Sequence, residues 1–454
     1  MFDKKMCGLM MLGLSSLTLM GCDSSDSDDN SETDSAYIQF YNASANSTAT
    51  SLVMDEYEYT SVAFSDSMPR YSYATGSVTM EIYGSDENGD SSSIYSEDMD
   101  LDKEENHLFV LYGDYHSPEL LKVIYDRADM DDLNSDEDNE YSKMQVLVAN
   151  VTAEEMAFDA YISLDTDSYA DATMIGSVDY RGVTSELMLD TDDYIVYLTD
   201  KGTDNVVYTT SSMSLTTETV YKFMIRNSFG SGDLKVVIDS VDSTTTPTSY
   251  TNIDATADFR VFNGLEQRSL DVDVISKAES HYLLDIAPFT VSDYQQTGFN
   301  DYGVSVTDSA TAEILLDNVL VTFNQDDVRT LLLYQDDTIK GMVIEHDLRP
   351  RAFESNVDIV NLSQDYDDLS VYFVRSSETI ESAEYSITDL DFTDQDSLVL
   401  LHDNYEVNVV YESDNGTKTL LYQSDFISFD GESNYSFVLM PDSSSSFGYN
   451  LVQL

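Results

Sequence analysis

"YIQFYN", residues 37–42, is a short apolar strand closed by asparagine, and its pattern returns as "QVLVAN" at 145–150, "DFRVFN" at 258–263 and "VDIVN" at 357–361. The closing residues Asn42, Asn150, Asn263 and Asn361 are spaced by 108, 113 and 98 residues. That is the length of one small β domain, far beyond a solenoid repeat. The 454-residue chain therefore reads as four copies of one module.

Period-2 alternation dominates inside each copy. In "LDVDVIS" Leu270, Val272 and Val274 fall on one face and Asp271 and Asp273 on the other, the pattern of a half-buried antiparallel strand. A later strand repeats as Tyr194, Val196 and Leu198, as Tyr302, Val304 and Val306, and as Tyr405, Val407 and Val409. Turn-rich stretches follow these strands, and Asn88-Gly89 and Asn415-Gly416 predict type I′ hairpins. Each copy then closes on two more apolar strands, such as "HLFVLY" and "LLKVIY". Some seven short strands in about 100 residues define an all-β fold of four tandem antiparallel β-sandwich modules, of immunoglobulin or transthyretin type. The modules are expected at 36–126, 143–240, 257–346 and 356–454. An acidic linker at 127–142, a Thr- and Pro-bearing one at 241–256 and a basic one at 347–355 join them, so the last two modules are expected to be more rigidly coupled than the first two.

The first 21 residues read as an export signal: Lys4 and Lys5 precede an apolar run too short to span a bilayer well. It ends in Leu19, Met20, Gly21 and Cys22, which resemble the bacterial lipoprotein box. The resemblance implies that Cys22 is lipidated and becomes the first residue of the mature protein, anchoring it to a membrane. Residues 22–35 are acidic and Ser-rich and are expected to form a disordered tether. The location implied is the bacterial cell envelope, at the outer membrane or the periplasmic face of the inner one.

A second resemblance is carried by "ATGSVTMEIYG" at 74–84 and "HLFVLYGD" at 107–114, together with the Asn-closed opening strand. These are similar to the DUF4397 family of exported bacterial β-sandwich repeats, which implies an envelope location and a repeat architecture without a known activity.

The formal charge of −65, from 86 acidic and 21 basic side chains, repels nucleic acid and anionic lipid. Cys7 and Cys22 are the two cysteines, so the modules hold no disulfide and no thiol nucleophile. The five histidines form no HxH or HExxH pattern, and no GxSxG, phosphate loop or SxxK element is present. The chain is accordingly expected to be non-catalytic. It would serve as a binding, adhesion or structural component with a protein or polysaccharide partner in the envelope, and no cofactor is required. Two alternatives stand beside this reading. One is a calcium-stabilised adhesin or carbohydrate-binding array, with Ca²⁺ held weakly by Asp129, Asp131, Asp132, Asn134, Asp136 and Asp138 in the acidic joint. The other is an envelope hydrolase using paired carboxylates. Asp98, Asp100 and Asp102 form a DxDxD run that is expected to alternate along a strand, and the recurring Asn is expected to turn the chain.

Overall fold

The computed structural model describes residues 34–136, 141–152, 156–232, 234–429 and 433–454. Its described elements are strands apart from the helix Ala128–Ser135 and a single 3-10 turn at Tyr169–Asp171. Eight sheets form four successive two-sheet sandwiches, as the alternation requires. Leu270, Val272 and Val274 all lie in the core of the third, with Asp271 and Asp273 on its outer side.

Each opening strand lies parallel to the first strand of the closing pair. Ser35–Asn42 pairs with Asn106–Tyr112, Lys143–Asn150 with Val220–Asn227, Ala257–Asn263 with Val328–Gln335, and Glu354–Asn361 with Tyr435–Pro441. Every other ladder is antiparallel among the described residues. Parallel pairing belongs to strands buried on both faces, and these strands are. In the first module Ile38, Phe40, Phe109 and Leu111 point into the sandwich core, while Tyr41, Leu108 and Val110 point the other way and are equally buried.

The second face is covered by a neighbouring module. Tyr41, Leu108, Val110 and Val123 of the first module pack against Leu147, Ala149, Val220, Met224 and Val241 of the second in one apolar cluster. The third and fourth modules repeat the arrangement, with Phe262, Leu332 and Tyr334 against Val360, Leu362, Val438 and Met440. The chain thus folds as two back-to-back pairs, each four sheets deep.

The first two modules, expected to be the more loosely joined, share a buried apolar cluster just as the last two do. The structure also corrects the picture of the acidic joint as a solvated linker. Residues 128–135 form a helix whose Met130 is 0% exposed and belongs to the same interface cluster. One apolar side chain in an acidic run is enough to pin a short helix when the neighbouring sheets are already packed.

Asn42, Asn150, Asn263 and Asn361 are fully buried and do the same work. Each side-chain oxygen accepts the backbone N–H two residues on, from Ser44, Thr152, Leu265 and Ser363 at 3.1, 3.2, 3.0 and 2.8 Å. Each amide nitrogen donates to a backbone carbonyl further along the module, that of Val62, Met156, Ile286 or Leu390. The repeated Asn is an Asx turn that also ties down a second backbone segment. The two Asn-Gly hairpins differ from the type I′ expectation. Gly89 and Gly416 have φ of 81° and 79°, but neither Asn88 nor Asn415 is left-handed. A four-residue turn ending in one left-handed glycine satisfies the hairpin with positive φ at one position only, which glycine adopts freely.

Candidate functional site

Several buried ionisable side chains lie where modules meet. Between the first two modules Asp239 accepts from Arg226 Nε at 2.6 Å and Nη2 at 3.1 Å, from Tyr41 Oη at 2.6 Å and from Ser249 Oγ at 2.7 Å. Burial alone would lower the basicity of Arg226, but Tyr41 and Asp239 outweigh it and raise its pKa. Burial and the Asp239 charge together push the Tyr41 phenol well above its ordinary range. The bidentate Arg–carboxylate geometry is the strong form of such a pair.

Beside this network Lys222 is 1% exposed. Its Nζ donates to Gln39 Oε1 at 3.1 Å and to the Asp242 carbonyl at 2.9 Å, and Gln39 Nε2 donates to the same carbonyl at 2.7 Å. No carboxylate touches the amine, and burial pulls its pKa from 10.5 down to about 7.

The network opens on a crevice of about 570 Å³ between the first, second and third modules, lined by Phe64, Arg226, Phe229, Asp326, His346 and Arg349 among others. Phe64 lies between two guanidinium groups, with Arg226 at 4.8 Å and Arg349 at 5.1 Å from its ring centre. Arg349 comes from the joint between the last two modules, yet it donates to the Ala45 and Ser47 carbonyls of the first at 3.2 Å. Burial, reinforced by Arg351, lowers its pKa to about 10. Ala352 N–H bonds the Asn46 carbonyl at 2.7 Å in the same seam. Asp326 of the third module takes a hydrogen bond from Ser228 of the second, and burial raises its pKa. His346 joins Thr330 at 2.6 Å to Ser436 of the fourth module at 3.2 Å; burial, then Arg260, lower its pKa to about 4.

Chemically this seam is a fastening. Glu345 and Asp347 at the crevice are held by Arg329 and Arg351, at 3.4 and 3.3 Å. Two serines of the crevice, Ser228 and Ser249, donate to the carboxylates of Asp326 and Asp239.

The residues singled out in the sequence fall elsewhere. Leu19, Met20, Gly21 and Cys22 lie outside the described residues, as does Asp138. Asp129, Asp131, Asp132 and Asn134 sit on the helix, with Asp136 capping it. Asp131 is paired with Arg127 at 3.0 Å, and Asn134 exchanges hydrogen bonds with the backbone of Lys143. Among the described residues no three His, Cys, Asp or Glu side chains converge on a metal position. Asp98 and Asp100 point outward on the strand Ser91–Leu101 with Leu101 inward, as expected. The crevice groups escaped sequence reading because they come from positions as distant as Phe64, Arg226 and Arg349. Its one signal was the isolated basic cluster around Pro350.

No family model and no curated protein matches the chain. Among solved structures, it is similar to a DUF3823 family protein from Bacteroides ovatus at 11% identity, covering 38% of this chain and 97% of that one, with a TM-score of 0.14. It is also similar to BcpA, the major pilin subunit of Bacillus cereus, at 11% identity over 66% of this chain and 99% of the pilin, again with a TM-score of 0.14.

Proposed function

We propose that this protein is a lipid-anchored component of the bacterial cell envelope with a non-catalytic, structural or binding role. The observation that carries the role is the fastening of four sandwiches into two pairs and of the pairs to each other. Arg226, Lys222, Arg349 and His346, four cations whose pKa values burial and neighbouring groups shift, serve those seams. Arg226 lies against the Phe64 ring, Lys222 donates to Gln39, Arg349 donates to the Ala45 carbonyl and His346 meets Ser436, each across a module boundary. The support for the anchor is the sequence from Leu19 to Cys22, and the repeats add a likeness to DUF4397. A net charge of −65 turns the surface away from nucleic acid and toward neutral or cationic envelope partners.

The anchor is tested by growing cells that express the full chain with radiolabelled palmitate. The protein should carry label and partition with membranes, and Cys22→Ala should abolish both. Undiminished labelling of the alanine variant would defeat the anchor.

A further inference from the structure

The chain passes from the first pair of sandwiches to the second once, through the linker at 241–256. That linker is moored to the second module as far as Ile253, whose N–H donates to the Thr209 carbonyl at 2.9 Å, and to the third from Thr256, whose carbonyl accepts the Asp326 N–H at 2.9 Å. Asp254 and Ala255 lie between the moorings. Beside them Ser228 Oγ and the Ser231 N–H donate to the carboxylate and the backbone carbonyl of Asp326. Further ties join the first module to the joint ahead of the fourth. They are the hydrogen bonds from Arg349 and Ala352 to the carbonyls of residues 45–47, and the Phe353 ring against those of Tyr115 and His116 at 6.1 and 4.7 Å.

Charge opposes these ties. Residues 34–250 carry 42 acidic and 10 basic side chains and residues 251–454 carry 38 and 9, net charges of −32 and −29. Each pair is closed by its own buried apolar cluster, yet among the described residues no apolar cluster and no ion pair reaches from one pair to the other. Crevices of about 570 and 360 Å³ lie on this seam, and the smaller is lined by Asp86 from one side and by Glu354 and Glu384 from the other.

We infer that the two pairs are rigid arms hinged at Asp254 and Ala255, with Arg349 as the latch, and that ionic strength sets the angle between them. The Debye length is about 30 Å at 0.01 M salt and about 3 Å at 1 M, so repulsion between the arms spans the seam in dilute salt and is confined to touching groups in concentrated salt. Apart from the bond to the Asp326 carboxylate, the ties are ring contacts and hydrogen bonds to neutral carbonyls, which screening does not weaken. Salt therefore removes the opening force and leaves the closing one. Inside a pair the same repulsion meets a buried apolar cluster, so the arms themselves stay shut.

The test uses the chain from residue 23 onward, which keeps all four sandwiches, has no thiol of its own and is independent of the lipidation result. Donor and acceptor dyes are placed on Glu87→Cys and Glu381→Cys, exposed sites on the two arms, and in a control on Glu87→Cys and Asp204→Cys, both on the first arm. As sodium chloride rises from about 10 mM to about 1 M, energy transfer across the seam should climb while the control stays level. Arg349→Ala removes two of the ties and should move the climb to higher salt. A level response across the seam would overturn the hinge. So would a climb of the same size in the control, because the whole molecule would then be contracting. An unchanged midpoint in the alanine variant would overturn Arg349 as the latch.

Discussion

Asp239→Ala should destabilise the protein by about 3–5 kcal/mol, the usual cost of stripping the partner from a buried ion pair. Asp239 is fully buried and satisfies Arg226, Tyr41 and Ser249 at once. The substitution leaves the buried Arg226 guanidinium without its carboxylate, beside the Phe64 ring of another module. The loss should therefore appear in the second sandwich and in its hold on the first and third together. Chemical denaturation with fluorescence from a tryptophan introduced at Tyr282, an exposed site remote from the seam, gives the free energy. Asp239→Asn should lose less, since an amide still accepts from Arg226. A change below about 1 kcal/mol for the alanine variant would show that the pair is solvated.

Lys222 should make stability rise with pH over a range where most acidic proteins are flat. Its folded-state pKa is lowered to about 7 from 10.5 by burial, so between these values the unfolded chain binds a proton that the folded one does not. The unfolding free energy then climbs with pH, by up to about 1.4 kcal/mol per pH unit. Below pH 7 both states are protonated and the full penalty of about 5 kcal/mol applies; above 10.5 it has vanished. Lys222→Met removes the titrating group and should flatten the rise between pH 7 and 10. It leaves Gln39 Oε1 without its donor, so the change of slope is the cleaner readout than the change at one pH. Equal slopes for the two proteins would show that the amine is hydrated in the folded state.

Much of the fold was legible because a strand's period of two is written directly into a half-buried sheet. "LDVDVIS" shows its inner and outer faces without ambiguity, and the Asx turn at each returning Asn needs only local chemistry. The pairing of modules was less legible, although "VLVAN" and "LFVLY" carry it: unbroken apolar runs mark strands covered on both sides. Composition misled at the acidic joint, where one buried Met130 outweighs a run of solvated carboxylates. Of the seam groups only the basic cluster around Pro350 gave a signal, since Lys222 sits in "VYKFMI" as any snorkelling surface lysine would. Only the covering sheet of the first module makes it an interior group. The contact of Tyr59 with Tyr71 joins the edges of two different sheets, a relation that neither spacing nor periodicity expresses.

The central claim is that the outer faces of the paired sheets are interior surfaces. Downstream of Cys22 the chain has no cysteine, so a single one can be placed at will. Met224→Cys and Met440→Cys put a thiol in the two interfaces, and Leu284→Cys puts one on a sheet face that is open to solvent. In the folded protein a maleimide should modify the Leu284 variant within minutes and leave the other two unreacted until denaturant unfolds them. Modification of the Met224 and Met440 variants as fast as the Leu284 variant would mean that the four sandwiches hang as separate beads, and the account would be wrong.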